Sequence, residues 1–157
     1  MQKEFLKIIH DNQKLLHKVC RVYRDSKEDQ EDLFQEIVYQ LWKSYPNFKR
    51  ESKVSSWIYR IALNTAIAIY RRKNKLAVEF KDEVPDHIRH ENETPVSENE
   101  ERLFWALRKL NDAEKAIISL YLEDCSYQEI AAITGLSETN IGVRLNRIKT
   151  KLKEILK

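Results

Sequence analysis

SYQEIAAITGLSETNIGVRLNRIK, residues 126–149, predicts two short helices that meet at a glycine turn. Ser126 followed by Glu129 is a capping box: the hydroxyl and the carboxylate each take an amide that a helix start leaves without a partner. Ile130, Ala131 and Ile133 give this helix an apolar side, and Ala131 is small enough for a second helix to cross closely. Gly135 supplies the left-handed residue that ends a helix. Ser137 then opens the next helix as its N-cap. This layout is a helix-turn-helix, whose second helix enters the DNA major groove, so DNA binding is the first functional expectation.

Downstream, Ile141, Leu145, Ile148, Leu152 and Ile155 recur at alternating four- and three-residue steps and predict one continuous buried stripe. At 100° per residue, Thr139, Asn140, Val143, Asn146, Arg147 and Thr150 then face away from it, with Arg144 on the flank. Asn and Arg make bidentate hydrogen bonds to adenine and guanine edges, and Val143 suits a thymine methyl. Gly142 costs about 1 kcal/mol relative to alanine in mid-helix. It either lets the backbone approach DNA or is a tolerated flank position.

Upstream, Ser97 with Glu100 is read as a capping box opening a helix through Leu103, Phe104, Leu107 and Leu110. Asn111 with Glu114 opens another through Ile117, Ile118, Tyr121 and Leu122. Residues 98–157 thus form a four-helix domain. Residues 76–97 lose periodicity, gain acid and contain Pro85 and Pro95, which predicts an irregular linker.

Residues 1–75 read as a bundle of three to four helices, of which three can be placed. The first spans about Lys3 to Tyr23, and the second starts at the Ser26 cap and ends at Pro46. The third, from about Val54 to Lys73, is apolar nearly all round. Such a helix is either central to a bundle or keeps aromatic surface for a partner, and the central position is the expected one.

With two glycines and three prolines in 157 residues, the chain is expected to be all-α: two small bundles joined by the linker. Residues 1–75 carry 16 Lys and Arg against 9 Asp and Glu, a net of +7. Residues 76–101 carry 2 against 9, a net of −7, and residues 102–157 carry 10 against 7, a net of +3. Two cationic blocks therefore flank an anionic connector, and cationic surfaces attract phosphate backbones by releasing condensed counterions. No apolar run reaches the ~20 residues of a membrane span and no signal peptide is evident, so a cytoplasmic chain with Cys20 and Cys125 reduced is expected. No catalytic constellation or phosphate-binding glycine loop is present, so neither enzyme activity, a cofactor nor a small-molecule substrate is expected. His87 and His90 lack a nearby cysteine, and no metal site is expected there. His10 and His17, read on one helix side, are taken as surface residues.

The chain resembles the extracytoplasmic-function (ECF) group of bacterial RNA polymerase sigma factors. The residues that carry the resemblance are DLFQEIVYQLWKSYPNF (32–48), SSWIYRIALNTAIAIYRR (55–72) and SYQEIAAITGLSETNIGVRLNRIKTKL (126–152), in that order and spacing. It implies that residues 1–75 are sigma region two and residues 98–157 region four. Core RNA polymerase would dock at Asp32, Gln35, Glu36 and Tyr39. The promoter −10 element would meet Lys49, Arg50, Lys53, Ser56, Trp57, Tyr59, Arg60, Asn64, Arg71 and Arg72, with Asn64 matching an asparagine that reads a base of the non-template strand. The −35 element would meet Ser137, Thr139, Asn140, Gly142, Val143, Arg144, Asn146 and Arg147. The linker would thread toward the polymerase cleft, and an anti-sigma factor would supply signal input. Gly142 and Val143 depart from the lysine and small polar residue that usually precede the recognition-helix arginine, so the −35 sequence of other members does not transfer. A stand-alone helix-turn-helix regulator and a purely protein-binding module are the other readings the residues allow.

Overall fold

The computed structural model describes residues 2–49, 53–71 and 97–157, with backbone alone for 69–71. Arg50, Arg72, the side chain of Arg71, His87, His90 and nearly all of the acidic linker lie outside the described residues. The elements are α1 (Gln2–Asp11), α2 (Gln13–Tyr23), α3 (Lys27–Ser44), a 3₁₀ turn (Tyr45–Asn47), α4 (Val54–Arg71), α5 (Glu98–Leu107), α6 (Asp112–Leu122), α7 (Tyr127–Thr134) and α8 (Glu138–Leu156). The all-α expectation holds for every described element. Among the described residues no helix is long and apolar enough to cross a membrane.

The single helix expected over residues 3–23 is instead two. Asn12 breaks it by turning its Nδ2 back onto the Ile8 carbonyl at 2.8 Å. A short amide side chain competes with the backbone in this way and interrupts propagation. His10 and His17 consequently sit on different helices, with His10 exposed and His17 half-buried and stacked on Phe34 at 4.9 Å. The Ser26 hydroxyl accepts the Asp29 amide at 3.1 Å and starts α3 as expected. The helix stops at Ser44, and Pro46 falls inside the 3₁₀ turn rather than at the helix end. Leu33, Phe34, Ile37, Val38 and Leu41 are buried against α2 and α4.

Helix α4 is central: it packs on α2 and α3 of its own half and on α6 and α7 of the other. Its all-round apolarity is thereby explained, since Ile58, Tyr59, Ala62, Leu63 and Ala66 all disappear from solvent. Thr65, also buried, donates its hydroxyl to the Ile61 carbonyl at 2.7 Å.

In the C-terminal half, the boxes at Asn111 with Glu114 and at Ser126 with Glu129 each have both reciprocal bonds. Ser97 makes the forward bond, to the Glu100 amide at 3.2 Å. Gly135 adopts φ +81° and donates its amide to Ala131 at 2.8 Å, which ends α7 in the left-handed conformation. Ile141, Leu145, Ile148 and Leu152 form the buried stripe of α8.

The two halves also pack on each other, α2 against α5 and α6, and α4 against α6 and α7. Arg108 donates its Nε to the carbonyls of Arg21 at 2.8 Å and Arg24 at 3.1 Å. These lie at the end of α2, where helical carbonyls lack intrahelical partners and the dipole is negative. The Tyr23 hydroxyl donates to the Asp112 carbonyl at 3.0 Å, and Lys115 sits 5.3 Å from the Tyr23 ring centre. Lys18 pairs with Glu123 at 2.6 Å and Arg21 with Glu101 at 3.3 Å.

Candidate nucleic-acid interface

The Ser137 hydroxyl accepts the Asn140 amide at 3.1 Å and aims the start of α8 outward. Thr139, Val143, Asn146 and Arg147 are exposed along one side of that helix, opposite the buried stripe. This row has the mix of donors, acceptors and one apolar contact that base edges of the major groove require. Asn140 and Arg144 are half-buried and paired, the Arg144 Nε donating to Asn140 Oδ1 at 3.0 Å. They therefore form a flank rather than part of the open row. Gly142 faces Tyr127 of α7. Farther along, Lys149 donates to the Tyr121 hydroxyl at 3.0 Å and lies 4.3 Å from the centre of that ring. That hydrogen bond raises the Lys149 ammonium above its ordinary value.

The second face belongs to α4 and the segment before it. Lys49, Lys53, Arg60 and Asn64 are exposed, and Ser56 and Trp57 are half-buried. The Trp57 ring is stacked on Phe48, with centres 4.5 Å apart and planes at 17°, and is tilted against Tyr45. One face of that indole is thus already occupied, in keeping with a core role. Tyr59 is 2% exposed, and burial pushes its hydroxyl well above the ordinary phenol range, with the nearby Glu123 carboxylate adding to the shift. In this form it offers no ring to a base.

The surface expected to meet polymerase lies on α3. Asp32 and Gln35 are exposed, and Glu36 and Tyr39 are half-buried, with Glu36 accepting from Gln40 at 3.3 Å. An open cavity of about 310 Å³ brings Arg60 and Asn64 of α4 together with Thr134, Leu136 and Arg144 of the helix-turn-helix. The two sets of DNA-facing candidates, separated by the linker in the chain, thus share one groove. Sequence reasoning missed the residues that join the halves, Tyr23, Arg108 and Lys115. It also missed Tyr127, which is 40% exposed beside the recognition helix. An aromatic one residue after an N-cap serine was the available signal for Tyr127. For the others there was none, because their partners are remote in the chain. Among the described residues no group of three or more histidines, cysteines or acidic side chains is placed to hold a metal.

A family profile for Sigma-70 region 2 matches residues 8–76, and one for Sigma-70 region 4 matches residues 101–152. The chain is similar to the ECF RNA polymerase sigma-E factor of Haemophilus influenzae, at 31% identity over 82% of this chain and 75% of the relative. It is also similar to RNA polymerase sigma factor SigV of Bacillus subtilis, at 29% identity over 88% of this chain and 82% of the relative. Two solved structures share the fold. One is the sigma factor RpoE of Bartonella quintana in complex with the anti-sigma factor NepR, with TM-score 0.70, 21% identity, and 98% of this chain and 94% of that one covered. The other is CnrH in complex with the cytosolic domain of CnrY, with TM-score 0.71, 22% identity, and 99% and 89% covered.

Proposed function

Because this chain belongs to the sigma-70 family of RNA polymerase sigma factors, in its ECF group, and so acts non-enzymatically in transcription initiation, we propose that it selects promoters by reading two separate DNA elements. Residues 98–157 take the −35 element and residues 1–75 take the −10 element, with 76–97 as the linker between them. The observation that carries this reading is the exposed row Thr139, Val143, Asn146 and Arg147 on α8, set outward by its own buried stripe. Arg147 and Asn146 supply bidentate donors and acceptors, and Val143 supplies an apolar contact.

On the other half, α3 presents Asp32, Gln35, Glu36 and Tyr39 to core polymerase, while Asn64, Arg60 and Lys53 take the opened non-template strand. Opening a base-pair step costs about 1.4 kcal/mol. A factor without nucleotide-driven machinery offsets this by binding the separated strand, through its phosphates and through stacked bases at ~1–3 kcal/mol each. The factor works in the cytoplasm beside its polymerase. Its regulatory partner is an anti-sigma protein, a reading supported by two structures of similar fold, one a complex with the anti-sigma factor NepR and the other a complex with the cytosolic domain of CnrY.

In vitro transcription with purified core enzyme, with and without this chain, tests the proposal. Initiation from a defined set of genomic promoters only when the chain is added is the expected result. Failure to confer initiation on any genomic promoter overturns it.

A further inference from the structure

Hydroxyls inside this fold ordinarily find a partner close at hand. Thr65 and Thr134 return theirs to carbonyls one helical turn back, each at 2.7 Å, and the buried Tyr23 donates to Asp112 at 3.0 Å. The Tyr59 hydroxyl on α4 and the Ser119 hydroxyl on α6 depart from this. Both residues are more than nine-tenths buried, yet neither hydroxyl has a hydrogen-bond partner among the described residues. An unpaired buried hydroxyl carries the cost of its lost hydration. Ser119 is the more telling case, since a serine within a helix has a carbonyl one turn back in reach.

Both residues line one cavity of about 300 Å³, bounded by α2, α4, α5 and α6. Its walls are otherwise mainly apolar, formed by Val19, Val22, Leu103, Phe104, Leu107 and Leu122. The charged residues beside it balance, Lys18 and Arg21 against Glu100 and Glu123. Each cation is already engaged. Lys18 pairs with Glu123 at 2.6 Å, and Arg21 pairs with Glu101 at 3.3 Å while lying 3.8 Å over the Phe104 ring.

Water suits such a space poorly. At roughly 30 Å³ per molecule about ten would fill it, each seeking two to four polar partners where the inner walls offer two hydroxyls. An organic occupant covers the apolar walls instead and releases that water.

We infer that this cavity is a binding site for a small neutral organic molecule, an apolar body carrying one carbonyl-type oxygen that accepts from Tyr59, Ser119 or both. Size follows from volume: a cavity of about 150 Å³ holds benzene, so ~300 Å³ suits on the order of twelve non-hydrogen atoms. Neutrality follows from the balanced, already engaged charges, which leave a net-charged guest without a counter-ion. The acceptor follows from the hydroxyls. Burial raises the Tyr59 phenol far above its ordinary range, so it keeps its proton and donates, and a carbonyl oxygen has two lone pairs to receive such donors. The molecule is bound and released unchanged. This site therefore goes beyond the promoter reading without altering it, and stands whether or not that reading holds.

The test titrates the full-length protein, followed by methyl NMR, with three neutral ketones of different shape: benzylacetone, methyl octyl ketone and camphor. Hydrocinnamate, which carries a carboxylate on the skeleton of benzylacetone, is the charged comparison. At least one ketone is expected to shift the methyl signals of Val19, Val22, Leu103, Leu107 and Leu122 saturably, with a dissociation constant below about 1 mM. Hydrocinnamate is expected to bind roughly 10-fold more weakly than the best ketone, or not at all. Tyr59→Phe and, separately, Ser119→Ala are each expected to weaken that ketone roughly 3- to 10-fold. Neither substitution removes a hydrogen bond that the free protein makes, and unliganded spectra check that both variants stay folded. Shifts that do not saturate, or that spread over the surface, overturn the proposal. So does hydrocinnamate binding as tightly as the ketones. Wild-type ketone affinity in both variants also overturns it, and would mean that the two hydroxyls are merely hydrated.

Discussion

The Cε2 atom of the Tyr127 ring stands 3.4 Å from where a Cβ on Gly142 would lie. Gly142 therefore faces the neighbouring helix, and its missing side chain leaves a shallow seat for an aromatic ring. Neither sequence reading of this glycine, close DNA approach or a merely tolerated flank, anticipated that contact. A methyl group fits there at ordinary van der Waals distance. Gly142→Ala is expected to stabilise the protein by about 0.5–1 kcal/mol through helix propensity, raising the melting temperature by roughly 1–4 °C. Gly135→Ala is expected to go the other way by about 1 kcal/mol, because φ +81° disfavours any L side chain although the space around it is open. Thermal melts of the two variants separate these effects, and a lowered melting temperature for Gly142→Ala would refute the seat.

Arg147 and Asn64 lie on opposite halves and should fail separately. Arg147→Ala is expected to weaken −35 binding by about 1–3 kcal/mol, with specificity relaxed at one base pair. Asn64→Ala is expected to impair −10 recognition while core binding is retained. Promoter-variant transcription alongside a core-binding assay measures both. Equal loss of core binding in the Asn64 variant would indicate misfolding instead of lost readout.

Acid should weaken the C-terminal half first. Two capping carboxylates titrate below the ordinary 4.5. For Glu114, burial pushes the carboxyl up, but the Asn111 amide and Lys151 together outweigh it. For Glu129, the Ser126 amide lowers it first and Lys53 next. A depressed carboxyl contributes stability above its unfolded value and loses it as pH falls through the folded one. Stability is therefore expected to be level above about pH 5 and to decline below 4.5. Glu114→Gln with Glu129→Gln should flatten that decline, since glutamine keeps the box geometry without the charge. Denaturant titrations across pH 3–6 measure it.

The two thiols should differ in reactivity. Burial pushes Cys20 up to about 12, with Arg24 offsetting a little, and leaves almost no thiolate at neutral pH. Cys125 is only half-buried, and burial followed by Glu129 and Glu123 raises it above the ordinary value. Alkylation at pH 8 should therefore modify Cys125 well before Cys20. Mass spectrometry of a timed reaction reads the order, and Cys20 labelling at the Cys125 rate would mean that α2 opens readily.

Much of this fold was legible in the chain, because its signals are local. The caps at Ser26, Asn111, Ser126 and Ser137 and the stop at Gly135 involve partners within four residues. The stripe Ile141, Leu145, Ile148 and Leu152 fixes by periodicity alone which side of α8 is open. The break at Asn12 escaped because an asparagine inside an amphipathic run is compatible with continuing the helix. The outcome there depended on whether its side chain bonded the preceding turn.

Periodicity states which face of a helix is buried but is silent on which surface buries it. The sequence by itself thus determined an all-helical chain, its caps and the outward row of its recognition helix. Only the tertiary structure decided that α4 is covered by both halves, that Tyr59 is buried at their seam, and that Arg60 meets Ala132. Those pairings join residues about seventy or more positions apart. They arise from the sum of many weak contacts, none of which leaves a mark on its neighbours in the sequence.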